Sequence, residues 1–390
     1  MTSDIYLIIT LALVLWLSPF IARVARIPIP AAEILIGSIL ATIGIIHKNH
    51  YFELVAEVGF LYLMFLAGLE VNLDKILKSP LSLIKRGLLF VALLGILSAV
   101  IGTALGLNII FIISLPLISI GLLASLSKTY GKESKWLELA FTVGVMGEVA
   151  SIIALTVLDA ASEVGFGLDL AKKLSILFAF ILLIIALYKA LDLLFWWAPE
   201  LKDKLMPHND TEDQDIRLSM ALFFLFIVVM IALHLELALG TFIAGVAISA
   251  FFQHKHELEE DLGSFGFGFL VPLFFIHVGS TFDLTAVKLP GVVSGALIIV
   301  GLSLLIKIIA TFVLKKYLNT IEIILTALSL SMPLTLLVAV ATIGYHTKYI
   351  TLIDYYSLIL AAILEILIGM SAIRVLARKA TAAHKESVTH

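Results

Sequence analysis

Cysteine is absent from the 390-residue chain. That removes disulfides, thiolate metal sites and a catalytic thiol, and it leaves the compartment open. Charge is scarce too. Asp, Glu, Lys and Arg make up 14% of the residues, against about 25% in a soluble globular domain. A net charge of −3 offers no basic surface, so no nucleic acid partner is expected. There is no phosphate-binding glycine loop, catalytic triad or zinc signature, so neither an enzyme nor an ATP-driven pump is expected, and no cofactor. The first apolar run, Ile5 to Val24, lacks a basic leader and a small-residue cleavage site, and it reads as a retained helix rather than a signal peptide. The sequence stops soon after Arg378, so no attached nucleotide-binding regulatory domain is expected.

Apolar residues fill what charge leaves. They reach 61%, more than a water-soluble fold can bury, so lipid is the expected solvent and partner for most of the surface. An all-α integral membrane protein follows. Thirteen spans are predicted, numbered α1 to α13, at roughly 4–23, 29–47, 53–70, 86–106, 108–127, 136–158, 171–198, 216–234, 237–253, 263–281, 290–314, 320–344 and 352–374. Loop charges test the count. Loops after odd-numbered spans hold 19 Lys and Arg, and loops after even-numbered spans hold 5. The positive-inside rule then puts the N-terminus outside and the C-terminus in the cytoplasm.

An odd count of thirteen allows two six-helix halves of opposite orientation joined by a linker helix, the inverted-repeat plan of many secondary transporters. The linker is α7, which ends at Trp196-Trp197-Ala198-Pro199 ahead of the most polar stretch, Glu200 to Asp215. Within the halves, α5 carries Pro116 and Gly121, and α12 carries Pro333 in Ser329-Leu330-Ser331-Met332-Pro333-Leu334-Thr335. These are the fifth helices of their halves. Proline removes a backbone hydrogen bond. Paired interruptions at matching positions therefore mark either an ion site built from freed backbone groups and nearby hydroxyls, or two packed kinks. Ser119, Ser331 and Thr335 are the hydroxyls placed to serve such a site.

An ionisable side chain at mid-bilayer costs from about 2.5 to more than 10 kcal/mol, so it needs a partner or a purpose. Glu148 lies mid-α6 with no other charge between Glu138 and Asp159. It is read either as a carboxylate for which a proton and a cation compete or as a protonated acid bonded between helices. Gly147 and Ser151 flank it. Lys307 lies mid-α11 and is expected to pair with a carboxylate, Glu148 first, or with Glu365 in α13. Such a pair is either part of the exchange or a structural tie. Glu33, Glu70 and Glu322 lie nearer helix ends and are read as interfacial. His277 in α10 is either a pH-sensing group or a packed ring. His254, Lys255 and His256 sit among acids in a loop and are read as solvated surface, not a metal site.

Several blocks resemble the monovalent cation:proton antiporter superfamily, in its branch of Kef-type and Nap-type Na+ or K+/H+ antiporters. They are Gly240-Thr241-Phe242-Ile243-Ala244-Gly245, His256-Glu257-Leu258, Pro272-Leu273-Phe274-Phe275-Ile276-His277-Val278-Gly279 with Asp283-Leu284, and Leu63-Met64-Phe65-Leu66-Ala67-Gly68-Leu69-Glu70. The resemblance implies thirteen helices, two broken helices crossing in a core, and a homodimer in a bacterial inner membrane. Its domains would be 1–85 and 216–289 for dimerisation, 86–160 and 290–380 for an elevator-like core, 161–215 as linker and 381–390 as tail. It also implies that Glu148 takes the place of the ion-binding aspartate and Lys307 that of the helix 11 basic residue. The chain departs from the pattern at Gly147, where an acid or amide is usual, at Ile120, where threonine is usual, and at Ser331-Met332-Pro333, where an Arg-Gly-Glu-like segment is usual. The expected function is exchange of Na+ or K+ for H+, electroneutral by charge counting. The alternatives are a gated K+ efflux channel and a transport-inactive sensor.

Overall fold

The computed structural model describes residues 2–25, 27–47, 49–70, 80–131, 134–164, 167–197, 213–235, 237–251, 256–282 and 284–388. His254 and Lys255, Asp283, Ala198, Pro199 and most of the polar stretch after them lie outside these residues. Each predicted span contains helix among the described residues. The long ones are α1 Thr2–Ala25, α2 Ile29–Thr42, α3 His50–Leu69, α4 Leu81–Ala104, α6 Lys135–Val164 and α7 Leu168–Trp197. Then come α8 Gln214–Leu233, α9 Leu237–Phe251, α11 Val292–Thr311 and α13 Leu352–Val388. The tenth, α10, runs from His256–Phe265 through a π-turn at Gly266–Leu270 into Val271–Thr281. Two spans are split. The halves of α5 are Ile109–Ser114 and Leu123–Tyr130, and those of α12 are Thr320–Ser329 and Leu334–His346.

Among the described residues, eight helices are long and apolar enough to cross a bilayer, and the halves of α12, bent by 49°, make a ninth. The outer faces of α1, α4 and α8 carry exposed large apolar side chains, such as Ile8, Trp16, Leu88, Ile96, Leu225 and Ile231. In water such faces would aggregate, whereas against acyl chains they are matched to their solvent. The protein is an integral membrane protein.

The chain forms two compact units. One gathers Met1–Gly59, Lys78–Leu155 and Phe269–His390, and the other Phe60–Leu77 and Thr156–Gly268. Each unit contains a helix crossing made by glycine. In the first, α2 and α10 meet where a Cβ on Gly37 would strike the Ile276 carbonyl and a Cβ on Gly279 would strike the Ile34 carbonyl. In the second, α3 and α9 meet where Gly68 faces the Phe242 carbonyl and Gly245 faces the Phe65 carbonyl. Missing side chains let backbones touch, which is how helices pack tightly when lipid supplies no hydrophobic drive. Each crossing is reciprocal, and three of the four glycines, Gly68, Gly245 and Gly279, come from the sequence blocks quoted above.

Candidate functional site

The site grows from the interruption of α5. Asn108 starts the helix, its side chain accepting from the Ile110 N–H at 3.1 Å. Pro116 has no N–H to continue it, and the chain unwinds until Leu123. Unwound backbone buried in a membrane must find partners. Here α6 supplies them. Ser151 Oγ accepts from the Ile118 N–H at 2.9 Å and donates to the Gly147 carbonyl at 2.8 Å. Glu148 Oε2 accepts from the Ile120 N–H at 3.2 Å, and Glu148 Oε1 accepts from Ser119 Oγ at 3.2 Å. Ser119 Oγ in turn accepts from the Gly121 N–H at 3.3 Å.

Glu148 is therefore the side chain that fills the gap in α5, and it is fully buried. Both hydrogen bonds are long, the N–H bond at the end of the usual range and the hydroxyl bond just beyond it. Even as charge-assisted bonds they contribute about 1.5–3 kcal/mol each. Removing an ion from water costs several kcal/mol, so the acid needs a proton or a cation to stay where it is. The departure at Gly147 has a steric side, and Gly144 on the same helix is packed as closely. A Cβ on Gly147 would come within 2.6 Å of Ile118 Cδ1, and one on Gly144 within 2.7 Å of Ile120 Cγ2 and 2.8 Å of Leu330 Cδ2. An acid at 147 would have to displace the Ile118 side chain. Ile120 gives the site its backbone N–H in place of a hydroxyl.

The Leu330 contact at Gly144 brings the break of α12 onto α6. That break is closed differently. Ser331 Oγ donates to the Ala327 carbonyl at 2.6 Å and Ser329 Oγ to the Thr326 carbonyl at 2.8 Å. Both hydroxyls turn back onto their own helix, a habit of serine in apolar surroundings. Ser331 therefore lies in the break but bonds within α12. Thr335 Oγ1, just past Pro333, is buried without a hydrogen-bond partner.

The first-choice partner for Lys307 is corrected by the structure. Lys307 is fully buried in α11, and its Nζ donates to Ser303 Oγ at 2.8 Å. The carboxylate acting on it is Glu365 of α13, which also shares a hydrogen bond with Ser303. Neither oxygen of Glu148 takes a hydrogen bond from Lys307 among the described residues. The two acids thus belong to two clusters, Glu148 with the α5 break and Glu365 with Lys307. Ser303 was not singled out from sequence, although its position four residues before Lys307 puts it on the same helix face.

The remaining residues fall apart from both clusters. His277 packs edge-on against Phe52 with ring centroids 5.1 Å apart, and its buried Nδ1 has no hydrogen-bond partner. Glu322 closes a capping box with Asn319, as an interfacial acid does. Glu33 is not interfacial. It is 2% exposed and accepts from Ser18 Oγ at 3.0 Å, because the crossing of α2 with α10 encloses the first turns of α2. Among the described residues no group of His, Asp and Glu is arranged to hold a resident metal ion.

The family model "Sodium/hydrogen exchanger, transmembrane" matches residues 8–379. A putative Na(+)/H(+) antiporter of Bacillus subtilis, YjbQ, is 26% identical over 93% of this chain, which spans 61% of that protein's length. The Na(+)/H(+) antiporter of Enterococcus hirae is 27% identical over 76% of this chain and 77% of its own. The solved sodium proton antiporter MjNhaP1 of Methanocaldococcus jannaschii shares the fold, with a TM-score of 0.68 over 96% of this chain and 99% of that one at 16% identity. The chain belongs to the transmembrane sodium/hydrogen exchanger family, within the monovalent cation:proton antiporters.

Proposed function

We propose that the chain exchanges Na+ or K+ for H+ by alternating access, with Glu148 as the carboxylate the two ions share. The observation that carries this reading is the placement of Glu148. It is fully buried, spans the α5 break, and holds only neutral donors, Ser119 and the Ile120 N–H, on its oxygens. Neutral donors stabilise a carboxylate without cancelling its charge, which leaves the charge for a mobile cation. An alkali cation would find the Glu148 carboxylate and Ser119 Oγ on one side and the α12 break on the other, since Leu330 packs on α6.

Charge balance supports electroneutral exchange. The Lys307 ammonium is matched by Glu365. Glu148 is then the single uncompensated acid of the site, and it is neutral both with a proton and with one monovalent cation. The names of the relatives favour Na+, and fewer protein ligands than the family pattern favour a site that keeps some water. A homodimer with a mobile core of α4–α6 and α11–α13 fits this reading. So do a bacterial inner membrane, an external N-terminus and the inverted repeat, whose halves would each contribute one partner to both glycine crossings.

The test is proton flux in proteoliposomes driven by Na+, K+ or Li+, on wild type and Glu148→Gln. Exchange should disappear in the variant. Cation-driven proton flux that persists would remove Glu148 from its role, and a current that follows turnover would overturn electroneutrality.

A further inference from the structure

We propose that Glu365 and Thr335 form a second site for an alkali cation, separate from Glu148, with the Lys307 ammonium as the charge that occupies that carboxylate otherwise. The proposal goes beyond the exchange at Glu148 and rests on a different part of the chain.

Three observations meet at this place. Glu365 Oε2 and Thr335 Oγ1 are both buried oxygens without a hydrogen-bond partner, and their residues are 2% and 6% exposed. Orphaned buried oxygens are rare because each forfeits about 1–3 kcal/mol. Two in one helix pair call for a ligand that brings positive charge or donors.

The second observation is register. The second half of α12 and α13 run antiparallel, with Tyr345 beside Tyr355 at 5.3 Å between ring centroids. At the far end Met332 lies against Gly369, its Sδ 3.1 Å from where a Cβ would stand. Ten residues back from Tyr345 is Thr335, and ten residues on from Tyr355 is Glu365. Both stretches are helical, so both advance about 1.5 Å per residue. Thr335 and Glu365 are therefore level, one turn from the carbonyls released where α12 breaks at Pro333.

The third is the lysine. Lys307 and Glu365 share Ser303 as a common hydrogen-bond partner. A carboxylate, a threonine hydroxyl and freed carbonyls are hard oxygen ligands suited to Na+ or K+. When the cation binds, one Lys307 Nζ–H bond breaks and its proton passes to water, so the buried charge is unchanged. The other ionisable groups on the elements around α13 are held elsewhere. Glu33 of α2 bonds Ser18, Glu322 closes the α12 capping box, and His346 lies in the last turn of α12.

The test uses the full chain purified with Glu148→Gln, so that the first site is silenced, and Tl+ and Na+ as probes. This variant should still bind the cation and release a proton as it does so. Thr335→Val, near in shape, should weaken that residual binding about tenfold, the loss of about 1.4 kcal/mol, and Thr335→Ser should restore it. Thr335→Ala repeats the measurement if valine crowds the helix pair. Thr335 is the residue to change because Glu365→Gln would strand the Lys307 charge and confuse binding with folding. Absence of cation binding in Glu148→Gln overturns the second site, and so does residual binding that ignores Thr335→Val. Persistent exchange in Glu148→Gln would instead overturn the role of Glu148, and the binding readout would still decide this site.

Discussion

At the α5 break, Pro116 opens the helix and the neighbouring helix finishes it. Glu148 and Ser151 of α6 take the Ile120 and Ile118 N–H groups. At the α12 break, Pro333 opens the helix and the helix finishes itself. Leu330 and Ser331 donate backbone N–H groups to Thr326 and Leu328, and the serine hydroxyls fold back onto the chain. Under the proposed exchange, the difference suggests what a proline break needs in order to serve an ion. Freed backbone alone does not suffice, since it can be satisfied locally. An acid from the adjacent helix makes the break dependent on a titratable group, which in the proposed exchange would link backbone geometry to ion occupancy.

Substitutions can break or sharpen that contrast. The largest effect is expected for Glu148→Ala. It removes both the proposed ion ligand and the acceptor for the Ile120 N–H, and cation-driven proton flux should fall to that of protein-free vesicles. Gly147→Asp would place the family's usual acid next to Glu148. Its Cβ meets Ile118, and overpacking of this kind costs about 1–3 kcal/mol. Thermal unfolding in detergent should drop accordingly and recover when Ile118→Ala is added. Ser151→Ala leaves the Ile118 N–H buried without a partner, a loss of about 1–3 kcal/mol, and should lower the melting temperature and the turnover together. Ser119→Ala should raise the half-saturating cation concentration about fivefold, the worth of one hydrogen bond near 1 kcal/mol. Ser331→Ala should change that concentration by less than about twofold, because its hydroxyl serves Ala327. If the last two effects were reversed in size, the α12 break and not the α5 break would be the principal site.

The two glycine crossings allow a similar comparison of stability. Gly37→Ala and Gly68→Ala should each unseat a helix pair, since the added methyl meets a carbonyl rather than a yielding side chain. Reduced yield of folded protein on size-exclusion chromatography would register both.

The sequence by itself determined the solvent, the all-helical architecture, the positions of both breaks and the isolation of Glu148. All of these follow from hydropathy and proline, which act along the chain. It also placed Lys307 and Glu365 at membrane depth. It left open which acid the lysine faces, it made Glu33 look interfacial, and it gave Ser331 and Ser119 equal standing. The tertiary structure decided these points. Depth in a membrane is a property of one helix, read from the distance to its ends. Partnership depends on the rotation of each helix about its axis and on which helices are neighbours, and that is set by contacts such as Gly147 on Ile118 and Gly37 on Ile276. Those contacts join residues far apart in the chain, where no local pattern reaches.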